Sequence, residues 1–286
     1  MNSADQVLAR TYAGPSNPSR IGVEGAVRAI EECADLALGE AGLERGVITA
    51  IGAGLAGTAK LEMRERMSGA LLKCFPSAAV TIVTDLEAAL AAAGEGAAIV
   101  LVAGTGSAAI GRNAQNEVCR AGGYGRGVSD DGSAFDIGRR AVAGAVQERA
   151  KEGIDSALGQ QVLAQLNCAE WQVVQHRAQT MADEIFPPIF PVVATAADAG
   201  DATARGLLRG AANELASLVA EVADRLDLRG KEFLLVKIGG TIGRSRFFDA
   251  QIDSALKQLV PEAQIGKLRI SPAEAAALGA RSLDAS

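Results

Sequence analysis

An uninterrupted apolar run, Ala97-Ala98-Ile99-Val100-Leu101-Val102-Ala103, stops abruptly at Gly104-Thr105-Gly106-Ser107. A short apolar segment closed by small residues reads as a strand ending in a tight turn. Such a turn is either plain architecture or a place where the backbone opens to receive an anion. The run continues into Ala108-Ala109-Ile110-Gly111, a hairpin partner, and turn residues at Asn113 and Asn116 lead to a further strand at Val118-Cys119-Arg120.

Around this hairpin, strand and helix patterns alternate. Val23, Ala26, Val27, Ile30, Ala34, Ala37 and Leu38 have helical spacing. Val47–Gly52 reads as a strand, 60–73 as a helix, Val80–Val83 as a strand ending at Asp85, and Leu86–Ala93 as a short helix. From 155 to 228 the pattern is helical, broken near Pro187-Pro188 and Pro191. Phe233–Ile238 reads as a strand, 245–259 as a helix, Leu268–Ile270 as a short strand and 272–283 as a terminal helix. This alternation defines an α/β fold with a parallel sheet. The length of 286 residues points to two domains. Hydrophobic residues make up 49% and aromatics only 3%, so small aliphatic side chains must fill the cores.

Composition narrows the function. With 28 basic and 34 acidic residues and no clustered basic face, the chain lacks a nucleic-acid footprint, so no nucleic-acid partner is expected. No apolar run reaches the ~20 residues that span a bilayer, and no signal peptide is visible, so the expectation is a cytoplasmic protein without a membrane partner. Cys33, Cys74, Cys119 and Cys168 are scattered and form no metal-binding pair. The lone histidine, His176, lies in a polar helical stretch and reads as a surface residue.

In open α/β sheets ligands bind at the C-terminal strand ends, and several of these carry candidates. Asp85 is either a general base or the cap of the following helix. Gly104–Ser107 offers backbone and hydroxyl donors, or is simply a hairpin turn. The loop Gly122-Gly123-Tyr124-Gly125-Arg126-Gly127-Val128-Ser129-Asp130-Asp131-Gly132-Ser133 places adjacent carboxylates just before a helix. These need cations, hydroxyl donors or helix amides to receive them, unless the loop is merely solvated with Asp131 or Ser133 as a cap. Gly239-Gly240-Thr241 joins a strand to a helix, where a phosphate could meet the helix N-terminus.

The order and types of these stretches, with Gly14-Pro15-Ser16-Asn17-Pro18 and Gly54-Leu55-Ala56-Gly57, resemble the BadF/BadG/BcrA/BcrD ATPase family, and within it the N-acetylglucosamine and glucosamine kinases. The resemblance covers nearly the whole chain. It implies the actin-like sugar kinase superfamily fold, two RNase H-like domains closing over ATP and sugar. The first domain is expected at 1–95, with the helix at 272–286 packing back on it, and the second at 96–271 with a helical insertion at about 150–230. The implied activity is ATP- and Mg²⁺-dependent phosphorylation of an amino sugar at the 6-hydroxyl, by a homodimer. Asp85 would be the catalytic base. Asn17, Ser107, Gly123, Tyr124, Gly125 and Asp130 would contact the sugar. Gly104, Thr105, Gly106, Gly239, Gly240 and Ser245 would face the nucleotide. No metal-ligating residue is assigned.

There are departures from the family pattern. The family opens with strands flanking a D-G-G-G-T-type loop that cradles the β- and γ-phosphates, whereas Met1–Arg10 looks like the family's third strand. The first domain is therefore expected to be N-terminally truncated, with unpaired sheet edges. Tyr124 stands where Trp is common, Asp131 where Glu or Gln is usual, and Glu274 where Gly is usual. The scattered cysteines speak against the iron–sulfur branch of the family. Two alternatives stay open beside the kinase: a catalytically impaired sugar-binding remnant, and an ATPase acting on a protein partner.

Overall fold

A computed structural model describes residues 1–125 and 128–284, and the backbone alone for the last three of these. Arg126 and Gly127 of the Gly122–Ser133 loop, and Ala285 and Ser286 of the terminal segment, lie outside the described residues. In chain order the first elements are α1 (Pro18–Ala41), β1 (Ala50–Gly54), α2 (Leu61–Cys74), β2 (Ala79–Val83), α3 (Asp85–Ala92), β3 (Ala98–Ala103), β4 (Ser107–Arg112) and β5 (Val118–Gly122). There follow α4 (Ala134–Glu152), α5 (Ala157–Gln165), α6 (Trp171–Ile185), α7 (Phe190–Ala199), α8 (Ala202–Arg225), β6 (Phe233–Ile238), α9 (Arg246–Leu259), β7 (Ala263–Gly266) and α10 (Pro272–Asp284). The chain divides into two compact units, Met1–Glu95 with Leu268–Ser286, and Gly96–Lys267.

In the first unit β1 and β2 pair in parallel, Ala50 opposite Ala79 through Gly54 opposite Val83. Val23, Ala26, Val27, Met67, Leu71, Phe75 and Ile82 bury a core between this sheet and helices α1 and α2. Helix α1 starts where Asn17 caps it, its side chain accepting from the Ser19 amide, with Pro18 at the first helical position. Met1–Gly14 forms no strand. An extended segment becomes a strand only when a neighbour completes its ladder, and this one is held mainly through side chains instead. Thr11 Oγ1 donates to Cys33 O at 2.8 Å, and Arg281 donates to the carbonyls of Asn2 and Ser3 at 3.2 and 2.9 Å. The expected third strand is thus absent at this position.

The second unit is built on a five-stranded sheet in the order β5-β4-β3-β6-β7. β3 is central, antiparallel to β4 and parallel to β6. Its Ile99, Val100 and Leu101 are fully buried, each contributing about 1.5–3 kcal/mol relative to exposure. Helix α8 lays Ala204, Leu208, Ala211, Leu215, Val219 and Val222 along one buried face, a 3- and 4-residue spacing that keeps them in line. Ala, Leu and Val dominate this core, so helices and sheet approach closely. The short last strand falls at Ala263–Gly266 and not at Leu268–Ile270. Register decides this: β7 pairs with β6 from Phe233 opposite Ala263, a rung pattern that the Leu268-Arg269-Ile270 triplet does not enter.

Candidate active site

In the first unit the C-terminal ends of both strands carry loops. Leu55 N donates to Val83 O at 2.9 Å, and the buried Thr58 hydroxyl donates to Leu55 O at 2.7 Å, so the Gly54–Gly57 loop is tied to the end of β2. Ser19 Oγ donates to Gly57 O at 3.1 Å, which brings the Asn17 cap to the same end. At the end of β2, Thr84 Oγ1 accepts from Glu87 N at 3.1 Å while Glu87 Oε2 accepts from Thr84 N at 2.7 Å. This reciprocal pair is a capping box. Thr84 is therefore the cap, and Asp85 is the first residue of the helix, relieved of capping.

Asp85 is solvent-accessible. Desolvation by the surrounding protein pushes its carboxyl above the ordinary value, assisted by the Glu87 charge, against the opposing pull of its own amide and that of Leu86. A carboxylate of raised basicity at a strand end is what a proton acceptor requires. Its neighbour Glu87 is held differently. Burial pushes Glu87 up, but the Thr84 amide and hydroxyl and the Arg64 guanidinium, at 3.0 Å, outweigh this and leave it below its ordinary value.

In the second unit the Gly104–Gly106 turn between β3 and β4 is held from two sides. Its carbonyls receive the first amides of α4: Ala134 N donates to Gly104 O at 2.9 Å and Phe135 N to Thr105 O at 3.3 Å. These helix amides are thereby satisfied by the turn itself. Ser107 N donates to Asp130 Oδ1 at 3.2 Å, and Ser107 Oγ donates to Asp131 O at 2.7 Å. Gly106 makes this possible, because a Cβ there would stand 2.7 Å from Asp130 Oδ1. Gly123 N donates to Ser107 O at 3.0 Å. Tyr124 N donates to Ser129 Oγ at 2.9 Å, and the Tyr124 ring, largely exposed, lies under the Arg120 guanidinium at 5.1 Å. Gly125 O accepts from Val128 N and Ser129 N.

The loop ends at Ser133, the cap of α4, whose hydroxyl accepts from Asp136 N at 3.2 Å. Asp136 Oδ2 in turn accepts from Gly132 N at 3.1 Å. Asp136 is 4% exposed and is paired with Arg139 at 2.8 Å and Arg140 at 2.9 Å. Arg140 also pairs with Glu214 at 2.6 Å and stands 3.7 Å from Asp131. Asp131, Asp136 and Glu214 bring oxygens within 4.8 Å of one another. With two guanidiniums already on these carboxylates, the arrangement fits an ion-pair network and does not fit a Mg²⁺ site, which wants oxygen ligands turned toward an open cation position.

At the end of β6, Gly239 has φ +118° and sits so tightly on Ala103 that a Cβ would overlap the Ala103 carbonyl. Thr241 locks the contact, its hydroxyl and amide both donating to Ala103 O, at 2.7 and 3.1 Å. A Cβ on Gly104 would lie 3.6 Å from Gly240 N, so the two glycine turns face each other backbone to backbone. Ser245 caps α9, accepting from Phe248 N at 3.1 Å and donating to Asp198 Oδ1 at 2.8 Å. It is 2% exposed.

The sequence candidates thus gather by unit. Asn17 and Asp85 share one end of the first. In the second, Gly104, Thr105, Gly106, Ser107, Gly123, Asp130, Gly239 and Gly240 are joined by direct contacts, and Tyr124 and Gly125 continue the same loop. Ser245 stands apart as a buried cap. Sequence reasoning missed the capping box, although Thr84-Asp85-Leu86-Glu87 carries its T-x-x-E signature. It also missed the Arg140 network, for which Glu214 gives no local signal.

The fold is shared with solved sugar kinases. The structure superimposes with a TM-score of 0.77 at 23% identity on a Chromobacterium violaceum protein assigned as an N-acetylglucosamine kinase, covering 95% of this chain and 90% of that one. It matches a Streptomyces griseus ROK family glucokinase solved with glucose and AMPPNP at a TM-score of 0.59 and 18% identity, covering 99% of this chain and 94% of that one. Residues 1–282 match the BadF/BadG/BcrA/BcrD ATPase family, and the chain belongs to that family. Among characterised relatives, the N-acetylmuramic acid/N-acetylglucosamine kinase of Clostridium acetobutylicum is 28% identical over 281 residues, 97% of this chain and 92% of the relative. The N-acetyl-D-glucosamine kinase of Dictyostelium discoideum is 27% identical over 184 residues, 63% of this chain and 58% of the relative.

Proposed function

We propose that this protein is an ATP-dependent kinase that phosphorylates an amino sugar, N-acetylglucosamine or glucosamine, at its 6-hydroxyl. The observation that carries the reading is the relation to a kinase of that class along 97% of the chain. The local chemistry of the candidate residues supports it. Asp85, exposed and of raised basicity, accepts the proton of the attacking hydroxyl. The sugar oxygen forms its bond to the γ-phosphorus as the bond to the β-phosphate oxygen breaks, and ADP leaves. Phosphoryl transfer of this kind is mostly positioning and charge stabilisation.

In this reading Asn17, Ser107, Gly123, Tyr124, Gly125 and Asp130 contact the sugar. Asn17 Oδ1 is occupied by the Ser19 amide, so its NH₂ is the group offered to a sugar hydroxyl. Gly104, Thr105, Gly106, Gly239 and Gly240 face the nucleotide, with Ser245 fixing the helix behind the Gly239–Gly240 turn. Mg²⁺ accompanies ATP as the counter-ion of its phosphates, and no described residue is assigned to hold it. The protein acts as a homodimer in the cytoplasm on a small molecule. No helix among the described residues is long and apolar enough to cross a membrane.

The test is a coupled ADP-release assay over a panel containing glucosamine, N-acetylglucosamine, N-acetylmuramic acid and glucose. ADP release that rises with an amino sugar and stays low with glucose is the expected result. Release at one rate whatever the sugar would overturn the reading and favour an ATPase coupled to another partner, which membership of the family also accommodates.

A further inference from the structure

We propose that Arg140 is a positioning residue for sugar binding, acting with Glu214 to hold the Ser129–Ser133 loop against Ser107; this rests on the kinase reading above. Arg140 reaches the carboxylates of three different segments. Its Nε lies 3.0 Å from Asp136 Oδ1 on its own helix, its Nη2 lies 2.6 Å from Glu214 Oε1 on α8, and the same Nη2 is 3.7 Å from Asp131 Oδ1 in the loop.

The connection from Arg140 to the candidate sugar contacts is short. The Asp131 carbonyl accepts the Ser107 hydroxyl, and the Asp130 carboxylate accepts the Ser107 amide. Asp136 holds the Gly132 amide. Any shift of the loop relative to α4 therefore carries Asp130 and Ser107 with it. Glu214 faces mixed surroundings: Oε1 takes Arg140, while Oε2 is buried without a hydrogen-bond partner among the described residues. Burial, with the neighbouring Asp136 and Asp131 charges, pushes its carboxyl above the ordinary value against the pull of Arg140. A carboxylate so placed depends on the guanidinium opposite it. Only a planar fork spans this geometry; a lysine offers a single point charge and can serve one or two of the three partners.

The experiment compares Arg140→Gln, Arg140→Lys and Glu214→Gln with the unaltered chain. It reads sugar KM, ATP KM, and backbone hydrogen exchange over residues 128–136. Arg140→Gln should raise sugar KM on the order of tenfold or more, because a partly buried carboxylate pair loses its cation. ATP KM should change by less than about twofold, since the nucleotide turns are untouched. Arg140→Lys should recover part of the loss. Exchange over 128–136 should accelerate while β3 and β4 keep their protection. Glu214→Gln keeps an acceptor for Arg140 and should give a smaller effect in the same direction, and it carries the test where Arg140→Gln does not fold. Unchanged sugar KM in a folded variant, sugar and ATP KM rising together, or unaltered loop exchange would each overturn the proposal. If the unaltered chain phosphorylates no sugar, the kinase reading falls and exchange alone decides: faster loop exchange keeps Arg140 as the anchor of this loop, and unchanged exchange removes it.

Discussion

Two strand-end turns, Thr84-Asp85 in the first unit and Gly104–Ser107 in the second, satisfy the same local requirement in opposite ways. Each joins a strand to polar groups at a helix N-terminus. In the first, a side-chain capping box formed by Thr84 and Glu87 takes the helix amide and the cap amide. Asp85 is left out of the cap, its basicity raised by desolvation. In the second, backbone carbonyls of Gly104 and Thr105 take the amides of α4, and the acidic residues Asp130 and Asp136 are engaged in holding the loop. Carboxylates near helix starts are common, so their presence alone teaches little. What distinguishes a reactive acid from a structural one is whether the local hydrogen bonds can be completed without it.

The comparison breaks first at Asp85. Asp85→Asn keeps the shape and the capping box but removes the proton acceptor, so kcat for the amino sugar should fall by about 10² to 10⁴. Stability at neutral pH should not fall with it. A carboxyl whose folded pKa is raised stabilises the protein below its unfolded value and loses that contribution as pH rises through the folded pKa. Replacing it with a neutral residue therefore removes an unfavourable charge, which thermal unfolding of the variant at pH 7 and at pH 4 would reveal.

The smaller effect lies in the other turn. Gly106→Ala would place a Cβ 2.7 Å from Asp130 Oδ1, and the carboxylate, being the end of a side chain, must move off the Ser107 amide. The lost hydrogen bond should cost about 1 kcal/mol of stability. Sugar KM should rise severalfold with kcat little changed. A variant with wild-type sugar KM would remove Asp130 from the sugar site.

Much of the second unit was legible in the sequence. Periodicity and turn residues placed β3, β4, β5, α8 and β6, because a dense apolar run or a long helical stripe leaves few alternatives. Ser133 as the cap of α4 was one of the two readings available, and the structure selects it. The errors arise where partners are distant. Leu268–Ile270 reads as a strand in the sequence, but the last strand forms at Ala263–Gly266, where the chain pairs with β6. Met1–Arg10 has the look of a strand but no ladder to join. The ion pairing of Arg140 with Glu214 spans 74 positions and leaves no local mark. The capping box, by contrast, has a local T-x-x-E signature in Thr84-Asp85-Leu86-Glu87, and it sets aside the capping alternative for Asp85.

The most direct test of that role is the pH dependence of kcat/KM for the amino sugar, measured for the unaltered protein and for Asp85→Asn. The account predicts that the unaltered protein loses activity as pH falls through a single ionisation lying above the ordinary aspartate value of 3.8, and that the residual activity of Asp85→Asn lacks this step. An acid limb that persists unchanged in Asp85→Asn would assign the proton to another group and contradict the account.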